Sequence, residues 1–97
     1  MTIREFRDSL AGQEPTSAAP LIRALWHDAR GDWHAAHALA QRCDTVDGAW
    51  VHAYLHRKEG DLANARYWYG RANRPAFAGP LEDEWEQLVR ALLGTAQ

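Results

Sequence analysis

The chain has 97 residues, of which 46% are hydrophobic and 25% charged, and its net charge is −2 with histidine neutral. That length reads as one domain with an ordinary soluble-protein composition. The near-neutral charge and the lack of a Lys/Arg block argue against nucleic-acid binding by phosphate neutralisation. No apolar run approaches the roughly 18 residues of a membrane span, and the single cysteine, Cys43, excludes an internal disulfide.

The first helix is predicted over about Thr2 to Ala11, with Thr2 and Glu5 spaced as a capping box and Ile3, Phe6 and Leu10 as its apolar stripe. Charged and apolar residues alternate here, with no signal-peptide core, so the expected location is cytoplasmic. Gly12 ends the helix, and Gln13 to Ser17 read as a linker. A second helix starts at Pro20, a favoured residue in a first turn, and carries Leu21, Ile22, Leu25, Trp26 and Ala29 on one face. Gly31 closes it and Asp32 caps a third helix bearing Trp33, Ala36, Leu39, Ala40 and Cys43. Cys43 itself reads as a semi-buried thiol rather than a nucleophile.

Asp44 to Gly48 is predicted as a turn. A fourth helix follows over about Asp47 to Glu59 and a fifth over Leu62 to Asn73, joined by Gly60-Asp61. Arg74 to Pro80 reads as a loop. A final helix covers about Leu81 to Leu93, with Leu81, Trp85, Leu88, Val89 and Leu92 as its apolar stripe. Glu82, Asp83, Glu84 and Glu86 crowd its first half, where the helix dipole favours acids. Nothing reads as a strand.

One phrase occurs twice. Ala24-Leu25-Trp26-His27, Gly31-Asp32 and Ala36 return 29 residues later as Ala53-Tyr54-Leu55-His56, Gly60-Asp61 and Ala65, and the register continues from Arg42 to Arg71. A fixed period in this range is the mark of stacked helical hairpins. The expected fold is therefore all-α. It comprises two antiparallel hairpins, about 20–43 and 47–73, with an N-terminal helix and a C-terminal capping helix at about 81–93. The paired histidines of the phrase, His27 and His56, are expected to hydrogen-bond by their rings to the Gly-Asp turns.

In the second hairpin, Ala53, Gly60-Asp61, Ala65, Tyr69, Ala72 and the following Pro75 resemble a tetratricopeptide-type (TPR) repeat. The first hairpin matches through Ala24, Gly31-Asp32 and Ala36, with Ala40 and Cys43 at the places of an aromatic and an alanine. The strings His52 to Asp61 and Asn64 to Ala72 also resemble a group of short uncharacterised bacterial proteins. The TPR resemblance implies an interaction module that binds a protein or peptide along the first helices of its hairpins. Carried over, Leu21, Leu25 and Asp28 would line this face together with Asp47, Trp50, Tyr54, Arg57 and Lys58. Trp50, Tyr54 and Arg57 or Lys58 share a helical face, and aromatics beside cations suit an acidic peptide segment. Trp68 and Arg71, on the aromatic run of the fifth helix, join the candidate partner-binding set. The competing expectation packs Trp50 and Tyr54 under the first or last helix.

Five histidines give a second candidate. His34 and His37 are i,i+3 and His52 and His56 are i,i+4, spacings that place two imidazoles on one cation, and Glu59 lies one turn from His56. His52, His56 and Glu59 are thus the alternative metal set, in a metal-binding protein or metal-dependent enzyme. No nucleophile or phosphate-cradling loop accompanies them, so no catalytic set and no cofactor is expected. A structural homodimer on the stripe of the last helix is the remaining alternative.

Overall fold

A computed structural model describes residues 1–95. It is all-helical among the described residues: α1 (Ile3–Ser9), α2 (Pro20–Ala29), α3 (Trp33–Gln41), α4 (Val46–Glu59), α5 (Leu62–Arg71) and α6 (Leu81–Thr95). Each boundary has a local cause. Thr2 and Glu5 form the expected reciprocal capping box at α1. Asp32, Thr45 and Asp61 accept backbone N–H bonds at the starts of α3, α4 and α5. Because Thr45 is the cap, α4 starts at Val46, shortening the expected turn, while α3 stops at Gln41 and leaves Cys43 in the connection.

The doubled phrase forms the same turn twice. Gly31 and Gly60 have φ of 83° and 92°, the left-handed region that glycine enters without a Cβ penalty. The Gly31 and Asp32 amides donate to the carbonyls of Asp28 and His27, and those of Gly60 and Asp61 to Arg57 and His56. This double bond pattern satisfies the last carbonyls of each helix. It is the main-chain carbonyls of His27 and His56, rather than their rings, that tie the turns. The His27 ring meets Glu14 at 2.9 Å and the His56 ring meets Glu59.

Helices α2 and α3 pack on each other, as do α4 and α5, and α3 packs on α4, an arrangement compatible with two helical hairpins in succession. Helix α6 lies against both α2 and α4, and α1 lies against α6. The core runs through all six helices. Ala24, Ala36, Ala53 and Ala65 permit close approach within the pairs, and Phe6, Leu25, Trp50, Tyr54, Leu55, Trp85 and Leu88 fill the space between them and α6. Gly48 marks the tightest passage, since a Cβ there would fall 2.0 Å from the Cys43 carbonyl oxygen.

Two acids are buried with the apolar side chains. Glu84, one of the acids in the first half of α6, is 0% exposed; it accepts from Arg57 at 3.1 Å and from the Tyr69 hydroxyl at 2.5 Å. Arg57 also donates to the Gly79 carbonyl. Asp28, 2% exposed, accepts from the Tyr54 hydroxyl at 2.8 Å and from Lys58 at 2.9 Å. Burial, then the adjacent carboxylate, holds both phenols well above the ordinary tyrosine range. No buried side-chain polar atom among the described residues lacks a partner.

Two outcomes follow for stability. Glu84→Ala strands the buried Tyr69 hydroxyl and the half-buried Arg57 guanidinium and should cost about 3 kcal/mol by urea denaturation. Gly48→Ala must push the 43–45 connection aside and should cost more than the ~0.5–1 kcal/mol that alanine normally gains over glycine in a helix. An unchanged or higher denaturation midpoint in either variant would contradict this packing.

Candidate functional site

Helix α4 carries His52 and His56 one turn apart on the side facing α3. Helix α3 carries Trp33 and His37 one turn apart on the side facing α4. The three imidazoles meet there. His37 Nε2 and His52 Nε2 are 2.9 Å apart, within hydrogen-bond distance. One ring nitrogen from each of His37, His52 and His56 lies within 4.8 Å of the others. The rings of His52 and His56 stack at 4.9 Å, and His37 stands nearly perpendicular to both, at 4.6 and 5.2 Å.

Two tryptophans enclose the cluster. Trp33 stacks on His37 at 4.8 Å, and its indole N–H donates to the Leu55 carbonyl at 2.7 Å, which fixes the ring against α4. Trp68, from α5, stacks on His52 at 3.9 Å. Outside the cluster, Glu59 accepts from His56 Nδ1 at 2.8 Å. A proton held on Nδ1 leaves the Nε2 lone pair of His56 available to a cation, the usual role of a carboxylate behind a metal-bound histidine. His56 also belongs to a more exposed group with Glu59 and Asp61.

The environment favours the neutral form of two of these imidazoles. Burial, followed by the neighbouring imidazoles, lowers the His52 pKa from 6.5 to about 4. Burial and then His56 lower that of His37. Neutral imidazole is the form that binds metals.

The residues expected from the sequence divide between this site and the core. His52 and His56 come together as anticipated, while Glu59 stands behind His56 and His37 supplies the third nitrogen. The i,i+3 pair of His34 and His37 was visible in the sequence, but only His37 turns inward; His34 is exposed beside Trp33. The spacing of residues on α3 could not reveal that His37 meets α4.

The candidate partner-binding residues do not form one free face. Trp50 is 3% and Tyr54 2% exposed, with the Arg74 guanidinium 3.5 Å from the Trp50 ring centre. Their place is the core, as the competing expectation had it, because α6 covers this side of α2 and α4. Arg57 and Lys58 are engaged by Glu84 and Asp28, and Leu21, Leu25 and Asp28 are buried. Trp68 is turned onto His52. Arg71 is exposed, donating to the Tyr67 hydroxyl at 3.1 Å, and Asp47 is partly buried near the start of α4. No helix among the described residues is long and apolar enough to cross a membrane. No family model, curated protein or solved structure matches the chain.

The lowered His52 pKa gives a pH dependence in metal-free protein. Between about pH 4 and 6.5 the unfolded chain binds the proton that folded His52 resists, so stability falls as pH drops through that window and is complete above it. The contribution is about 2–3 kcal/mol. Thermal melts from pH 7.5 to 4.5 should show His52→Gln losing less stability than the parent over this range; parallel curves would refute the assignment.

Proposed function

We propose that this protein is a small helical metal-binding module in which His37, His52 and His56 hold one divalent transition-metal ion. The observation that carries the reading is the convergence of three imidazole nitrogens within 4.8 Å, drawn from two helices and backed by Glu59. Zinc–nitrogen bonds of about 2.0–2.1 Å place tetrahedral ligands roughly 3.3 Å apart, so the His37–His52 contact opens by only a few tenths of an ångström on binding. A nitrogen-only set suits Zn²⁺, Cu²⁺, Ni²⁺ or Co²⁺ over Mg²⁺ or Ca²⁺. Three ligands are the protein complement of a site that keeps a position open, whereas closed structural zinc sites use four. The core is complete without an ion, which also favours an exchangeable or reactive one.

The TPR-like reading of the architecture belongs to the same proposal. It is supported by the identical bonding of the Gly31-Asp32 and Gly60-Asp61 turns at equivalent places in the sequence. In this reading the two helix pairs serve to bring α3 against α4, where the ion sits. Partner capture through Trp50, Tyr54, Arg57 and Lys58 is not favoured, because those side chains are committed to the core and its ion pairs.

Calorimetric titration of tag-free, metal-stripped protein with Zn²⁺ and Co²⁺ should give one equivalent. At 100 times Kd, either ion should add about 2.7 kcal/mol of stability, a rise of several degrees in Tm. His37→Ala and His52→Ala should each abolish that rise. Glu59→Gln should weaken binding by about 10–100-fold. Sub-stoichiometric binding, or an affinity unchanged in His37→Ala, would refute the site.

A further inference from the structure

A cavity of about 440 Å³ adjoins the histidine cluster, a volume in the range of small-molecule sites. Cys43 and Thr45 from the α3–α4 connection, Gly48 at the start of α4, and Trp68 and Arg71 from α5 are among its walls. His52 is the remaining wall residue of note. It lines the cavity and belongs to the three-nitrogen group, and Trp68, which stacks on its ring, is also a wall residue.

The charge balance identifies what this space suits. Imidazole ligands carry no charge when bound, so they leave both charges of a divalent ion uncompensated in a partly buried place, where an unneutralised charge is costly. Glu59 acts through His56 and does not join the three-nitrogen group. Among the described residues of the cavity wall, Arg71 is the cation and Asp44 the acid, so the wall itself is balanced and the excess positive charge is that of the ion. The Arg71 guanidinium has five N–H donors; the Tyr67 hydroxyl takes one, and the fully exposed Asp44 stands 3.9 Å away as the opposing acid. Trp68 and Tyr67 hold it by their ring faces, at 5.5 and 6.0 Å. Donors therefore remain for planar or tetrahedral oxygen groups. The start of α4 opens on the same space and adds positive potential.

We propose that this cavity takes a small molecule bearing carboxylate or phosphate oxygens. One oxygen fills the open position of the ion on His37, His52 and His56, and Arg71 pairs the remaining negative charge. This assignment rests on the metal-binding reading above. The cavity is then the substrate or effector pocket of the metal site, and the ion and Arg71 select for oxyanions over neutral molecules of the same size.

Cobalt-loaded protein separates the two ideas. A visible d–d band at one equivalent of Co²⁺ tests the metal site alone, and its absence would overturn both. With the band present, acetate, malonate and inorganic phosphate are titrated in turn. The expected result is a saturable change in the band for at least one of them, and the lowest half-saturation identifies carboxylate or phosphate as the preferred group. Arg71→Met should raise that half-saturation about tenfold, and Arg71→Lys should recover part of the loss. A cobalt band that none of the three anions alters would overturn the pocket assignment and leave the metal site standing. Equal anion binding by cobalt-loaded and metal-free protein would also overturn it.

Discussion

Helix α4 is buried on every side from Gly48 to His56, so each polar group it carries must find its partner inside the molecule. Much of the structure follows from meeting that demand. Tyr54 and Lys58 draw in Asp28 from α2. Arg57 draws in Glu84 from α6, and Tyr69 completes the pairing. His52 and His56 turn toward α3, where His37 answers one of them and Trp33 walls the group. A helix of this kind shows no clear amphipathic stripe, because it has no solvent side for which to reserve a polar face.

The same demand explains what the sequence disclosed and what it concealed. Turns and caps were legible because they are local: Thr2 with Glu5, Gly31-Asp32 and Gly60-Asp61 each act within five residues, and the 29-residue period needs no knowledge of packing. Trp50, Tyr54, Arg57 and Lys58 shared a helical face as read, but spacing cannot say whether another helix lies over that face. The acid expected to arrive there as part of a partner is Glu84 of the same chain. An acidic first turn is favourable on any helix, so the dipole accounted for Glu84 without revealing that it is buried.

The candidate site was half legible for a related reason. His52 and His56 were paired by spacing along one helix, and Glu59 lay one turn away. His37 lies on a different helix, and its contribution depends on how α3 crosses α4. Trp68 was read as a partner-binding residue, and its actual neighbour, the His52 imidazole, likewise comes from another element. Long-range pairing is invisible to periodicity, and in this molecule the chemistry of interest is all at such a pairing.

Helix α6 touches both α2 and α4, and its Trp85 indole donates to the Leu25 carbonyl of α2 at 3.1 Å while its Glu84 accepts from Arg57 of α4. In an open array, each unit contacts only the next, and stability accumulates along one dimension, so that end units fray first. A clasp across both units removes that independence. Opening either helix pair exposes the apolar stripe of α6 and breaks a buried polar contact, which couples the two pairs energetically. On this side the surface that α2 and α4 share is already covered by α6, so a binding partner finds no free groove there.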